Sequence, residues 1–181
     1  MFEVKDNGQD FERPPVGTQR AVCIKVFDLG LQPGFQGVMT HKGVILWEID
    51  SRMEKGEAAG KRFTVSKTYT ASLNEKANLA KDLQSWRGRP FSEEEKKGFD
   101  LDKIVGKNCL LNLVETTTKA GKTWIAIAAV MPPMKGMEPM VQETPAEYVP
   151  QWVSKLLHPE ATEQVYDTGD GPGADDSDIP F

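Results

Sequence analysis

Two residue types that carry much of enzyme chemistry are scarce in this chain. It holds two cysteines and two histidines among 181 residues. Cys23 and Cys109 each sit inside an apolar run. That placement reads as two buried thiols of a reducing compartment and excludes a disulfide framework. A zinc site needs paired ligands, and neither His41 nor His158 is spaced as a partner for either cysteine. Neither histidine has an obvious nucleophile or carboxylate to work with, so no metal, no cofactor and no enzymatic activity are expected. Long apolar runs are missing too. None approaches the length of a membrane span, and Met1–Asp6 opens without the apolar stretch of a secretion signal. The expected location is the cytoplasm.

Phosphate-loop chemistry is also excluded. Ala120-Gly121-Lys122-Thr123 looks like the end of a nucleotide-binding loop, but Thr116 stands where that loop needs a glycine, and a strand rather than a helix follows. Gly56–Arg62 fails on spacing. Acids cluster at Glu93-Glu94-Glu95 and at Asp100 and Asp102. A nuclease would hold Mg²⁺ on such clusters, but acids beside helix starts read as caps and solvated faces.

Charge is present in quantity and is unevenly placed. The net charge is -5, yet from Pro159 onward there are seven acids and no lysine or arginine. Residues 18–158 carry 20 bases against 16 acids. A mildly basic body with an acidic tail predicts two surfaces for different partners.

Strand patterns recur along the body. Arg20–Asp28, Val44–Asp50 and Arg62–Thr70 read as three strands, with Gly30, Pro33, Gly34 and Gly37 making a loop between the first two. In the third, Arg62, Thr64, Ser66 and Thr68 share one face, and Phe63, Val65, Lys67 and Tyr69 the other. Ser72-Leu73-Asn74-Glu75 fits a capping box ahead of a helix through Trp86, ended by Gly88 and Pro90. Ser92 followed by three glutamates caps a second, short helix, and Leu101–Val105 is another turn. Asn108–Glu115 and Lys122–Val130 form a closing hairpin.

Three strands, a helical insertion and two more strands match a mainly β fold. The fold expected from that element order is a five-stranded oligonucleotide/oligosaccharide-binding (OB) barrel with a helix between its third and fourth strands. An α+β sheet packed on the same helix is the alternative. The domains expected are a lead-in over 1–17, the OB domain over 18–135, an extended Pro/Met segment with a short helix near Pro150 over 136–158, and a disordered acidic tail over 159–181.

Basic residues interleave with aromatics. Lys25 and Phe27 share a face of the first strand, and Trp47 lies on the second. Lys61, Arg62, Phe63, Lys67 and Tyr69 line the third, Arg87 and Arg89 flank Gly88, and Lys119, Lys122 and Trp124 belong to the last hairpin. Single-stranded nucleic acid calls for this combination: cations neutralise phosphates, and rings stack on unpaired bases. Of these, Arg62, Lys67 and Tyr69 are expected to be exposed, because a lysine facing a dry core is costly. Trp86 is expected in the core.

The end of the chain, Asp175-Asp176-Ser177-Asp178-Ile179-Pro180-Phe181, combines acids with an apolar hook. It resembles the C-terminal tip of bacterial single-stranded-DNA-binding proteins. The body instead resembles a group of bacteriophage proteins, through Tyr69-Thr70-Ala71-Ser72-Leu73-Asn74-Glu75-Lys76-Ala77, Trp86-Arg87-Gly88-Arg89-Pro90-Phe91 and Gly98-Phe99-Asp100-Leu101. These resemblances imply an OB-fold binder of single-stranded DNA in phage replication, recombination and repair, working in the host cytoplasm. They imply that Asp175, Asp176, Asp178, Ile179, Pro180 and Phe181 dock replication or repair proteins, and they leave the oligomeric state open. The tail's acids would also compete with DNA for a basic groove. The other function class is a protein–protein adaptor that does not touch DNA.

Overall fold

Regular alternation is clearest in Arg62–Thr70, and in a computed structural model of the chain, which describes residues 12–159, that segment is a strand with the same bounds. Five strands are present: β1 Gly17–Pro33, β2 Met39–Arg52, β3 Arg62–Thr70, β4 Asn108–Thr117 and β5 Thr123–Met131. They form one antiparallel sheet in the order β3-β2-β1-β4-β5. Helix α1 is Asn78–Arg87 and helix α2 is Glu93–Lys97, followed by a 3-10 turn at Leu101–Ile104; all three lie in the chain between β3 and β4. The chain divides into two units between Ala146 and Glu147. In the second, helix α3 (Gln151–Leu157) starts directly after Pro150. The Pro/Met segment expected over 136–158 is therefore split, its first part belonging with the sheet. No helix among the described residues is long and apolar enough to cross a membrane.

The sheet is not closed into a barrel. β3 and β5 are its two edges and are not hydrogen-bonded to each other. Strand patterns report which face of a strand is apolar, but closure depends on backbone partners far apart in the chain, so the sequence carries no direct signal for it.

β1 and β2 are longer than their apolar runs. β1 continues into the first part of the stretch expected as a loop and stops at Pro33, leaving residues 34–38, with Gly34 and Gly37, as the connection. Two register shifts let it bend, between Cys23 and Lys25 and between Asp28 and Gly30. At the second, Gly30 takes φ +63° and donates its N–H to Asp28 Oδ1 at 2.8 Å. β1 runs against β2 along most of its length but pairs β4 only from Gly17 to Val22. Cys23 then exchanges backbone bonds with Gly106 and Lys107.

The main core cluster lies on one side of the sheet, while Val22, Val44 and Leu46 are buried on the other. Ala21, Cys23, Ile45, Trp47, Ile49, Phe63, Val65 and Tyr69 meet Leu79, Leu83 and Trp86 of α1 and Cys109, Leu111, Leu113, Ile127 and Val130 of the hairpin. Both thiols are buried and free, and burial pushes the Cys23 thiol up to about 12. Trp86 is core as expected, its indole N–H donating to Asn108 O at 2.8 Å. The start of α1 differs from expectation. Ser72 and Asn74 accept from Asn74 N and Lys76 N in successive turns, and the helix begins after Ala77 with no side-chain cap. The capping box does form one helix later, where Ser92 Oγ accepts from Glu95 N and Glu95 Oε2 from Ser92 N.

Candidate nucleic-acid interface

The cations and rings singled out by sequence fall into three groups. Those on β1, β2 and β3 are mostly consumed by the fold. Trp47 is fully buried, with its ring 6.1 Å from that of Trp86. Phe63, Tyr69 and Phe27 are each buried, so these four rings offer no open face for a base. Lys25 lies with its Nζ 5.4 Å from the Phe27 ring centroid and donates to Ala146 O at 3.0 Å. Lys67 was expected to be exposed; it shares the core-side face of β3, with its ammonium 5.2 Å from the Tyr69 ring centroid, and donates to Asp82 of α1 at 2.7 Å. Tyr69 also donates to Asp82 Oδ2, at 2.8 Å. The carboxylate on α1 is what lets a lysine occupy that face. Among this group only Lys61, in the turn before β3, is exposed.

Arg62 was expected to be exposed as well, and is covered. Its guanidinium donates to Glu48 Oε1 at 2.9 Å and to Val141 O at 2.8 Å, with Glu143 at 3.3 Å. Glu48 is the one buried charged side chain among the described residues. Its carboxylate accepts from Glu143 N, Thr144 N and Thr144 Oγ1. Arg20 donates to Glu138 O, Asn108 bonds both ways with Met140, and Arg52 pairs with Glu143. Residues 138–146 therefore form a strap across the side of β1, β2 and β3 that faces away from the core. Burial pushes Glu48 up, but the bonds from Thr144, Arg62 and Glu143 outweigh it and hold the carboxyl below its usual range.

The second group is the β4–β5 hairpin. Lys119 and Lys122 are exposed in its turn, and Trp124, paired with Thr116, is 47% exposed. This is the one place where the expected cations and an open expected ring occur together.

The third group surrounds α1's C-terminal end, where Gly88 adopts the left-handed conformation that stops the helix. Arg87 donates to Glu95 Oε1 at 2.7 Å, and its guanidinium lies 4.6 Å from the Phe91 ring centroid and 5.7 Å from that of Phe99. The bond from Arg87, with that from Ser92 N, holds Glu95 down to about 2. Arg89 is exposed. Beside them opens a pocket of about 630 Å³ whose lining includes Leu83, Trp86, Phe99, Ile104, Arg89, Lys103 and Lys107.

Sequence reasoning passed over several of these residues. Lys103 and Lys107 were masked by the acids before them. Glu48, a lone carboxylate inside Val44–Ile49, was a visible signal for a buried ion pair. Its partners at 143 and 144 left no local trace. Phe35, 85% exposed at the β1–β2 tip, was flagged only by its flanking glycines.

The six tip residues expected to dock partners, Asp175, Asp176, Asp178, Ile179, Pro180 and Phe181, lie outside the described residues, as does nearly all of the tail expected to be disordered. Among the described residues no three His, Cys, Asp or Glu side chains gather as a metal site. No protein-family model matches the chain, and no curated protein matches it in sequence.

Proposed function

We propose that this protein binds single-stranded DNA without strong sequence preference, as a non-enzymatic factor in phage DNA replication, recombination and repair, with its acidic tail recruiting partner enzymes. The observation that carries the reading is the hairpin in which Trp124 lies open beside Lys119 and Lys122. An exposed flat ring and two exposed cations on one hairpin are what an unpaired base and its phosphates require. The strand order supports it, since an OB fold is a partly open five-stranded barrel whose first and last hairpin loops contact oligonucleotides. A sheet open between β3 and β5 suits that description. On this reading the last hairpin does the work expected of β2 and β3, whose outer side the strap occupies.

The test is anisotropy of labelled oligo-dT with the full chain at about 50 and about 200 mM salt, against a duplex of equal length. Tight binding to the single strand that weakens steeply with salt is expected. Equal affinity for the duplex, or no response to salt, sinks the reading.

A second reading, a protein–protein adaptor, has its own observation. The β1–β2 tip exposes Leu31, Phe35, Val38 and Met39, an apolar cluster of the kind that marks protein contacts. Absence of any DNA binding in the same titration would favour it.

A further inference from the structure

The pocket beside α1 is apolar within and cationic at its mouth. Leu83, Trp86 and Ile104 are buried in its floor, and Phe99 is half-buried. Arg89, Lys103 and Lys107 are exposed around it. Glu95 is the only carboxylate in the lining, and it is committed to Arg87 at 2.7 Å and to Arg89 at 3.5 Å. Lys103 and Lys107, with the largely exposed Arg89, are thus left at the mouth of an open apolar cavity. The Phe99 ring is held in place, edge against Phe91 at 5.1 Å and 71°, with Arg87 over both.

We infer that this pocket receives one unstacked base of the bound strand, with the neighbouring phosphates on Arg89, Lys103 and Lys107. The inference rests on the single-stranded-DNA reading above and adds a second contact to the hairpin's. The volume falls within the range of small-molecule sites. An acidic peptide would satisfy the same cations. Its backbone N–H and C=O groups, however, would enter an apolar cavity with few partners, at a cost in free energy. A base presents an apolar face inward and keeps its polar edge toward the open mouth. The Trp86 indole N–H, which would otherwise be available to read a base edge, is taken by Asn108 O. Trp86 therefore imposes no preference for one base over another.

Gly98 supplies a test that leaves the core alone. It lines the pocket with extended backbone, φ 179°, and a Cβ there meets no atom within 4 Å. Gly98→Phe therefore adds a ring at the cavity wall where its Cβ has room. The full chain is titrated with labelled oligo-dT and with an oligomer of the same length and charge whose sites are abasic. Wild type should prefer oligo-dT. Gly98→Phe should lower oligo-dT affinity about tenfold, a stacked base's share, and leave the abasic oligomer unchanged. Lys103→Glu with Lys107→Glu should weaken both. Wild-type affinity for oligo-dT in Gly98→Phe and in the double variant, with native melting curves, overturns the pocket and leaves DNA binding intact. An equal loss on both oligomers in Gly98→Phe overturns base insertion. So does pocket-dependent capture of an acidic aromatic peptide that oligo-dT cannot displace. If wild type binds neither oligomer, the single-stranded-DNA reading itself falls.

Discussion

Arg62 of β3 and Glu48 of β2 meet at 2.9 Å with side chains only 12% and 0% exposed, and the same carboxylate holds the backbone of Glu143 and Thr144. One buried charge thus joins two strands to the strap. Removing one partner of such a pair strands the other without water, which costs about 3–5 kcal/mol. Glu48→Ala should lose stability on that scale in urea unfolding. It should also free the strap, read as faster amide exchange at Glu143 and Thr144. A loss within about 0.5 kcal/mol, the usual range for surface changes, would mean that the contact holds nothing.

The same carboxylate sets an acid limit. Glu48's folded pKa is depressed below its ordinary value of 4.5, so the folded state favours the ionised form. Its contribution is complete above pH 4.5 and is lost as pH falls through the lower, folded value. Asp28, Glu95 and Glu143 are shifted the same way and add to the trend. Unfolding midpoints should therefore drop below pH 4.5 in wild type, and less steeply in Glu48→Gln. Parallel curves for the two proteins would remove Glu48 from the acid response.

Tyr69 and Asp82 make a different case. The Tyr69 hydroxyl is buried on a carboxylate that Lys67 also uses. Burial and the nearby Asp82 charge push the phenol well above its usual range, so it stays a donor. Tyr69→Phe deletes that donor and keeps the ring, costing about 1–2 kcal/mol. Asp82→Ala should cost more, because it leaves both Tyr69 and Lys67 without their acceptor. Oligo-dT affinity should be unchanged in Tyr69→Phe; a tenfold loss there would return β3 to the binding surface.

The contrast between β3 and its neighbours explains what the sequence could reveal. Alternation placed all nine residues of β3 and assigned Phe63, Val65, Lys67 and Tyr69 to one face, which the fold confirms. It could not show that Lys67 reaches Asp82 on a helix, or that a strap beyond β5 covers Arg62. Both facts depend on elements far apart in the chain. β2 defeats alternation because Val44 to Ile49 are buried on both faces. Ser72 looked like a helix cap because the capping pattern is local, whereas α1 starts where Leu79, Leu83 and Trp86 can reach the sheet. Lys119, Lys122 and Trp124 were legible for the opposite reason: a short hairpin turn keeps its residues together whatever the rest of the fold does.

That hairpin gives the most direct test of the surface. Trp124 is 47% exposed and pairs with Thr116 across the strands, so Trp124→Ala should change stability by no more than about 0.5 kcal/mol. If a base stacks on the ring, the same substitution should cost about 1–3 kcal/mol of oligo-dT affinity and reduce the tryptophan fluorescence change on binding. Lys122→Ala should act differently. Losing one phosphate contact lowers the slope of log affinity against log salt by about 0.7 for a single strand, while the preference for oligo-dT over an abasic oligomer persists. A ring that merely shields its strand partner predicts the reverse pattern, with stability falling in Trp124→Ala and affinity holding. The two outcomes share no common ground, so one pair of titrations decides whether the hairpin touches DNA.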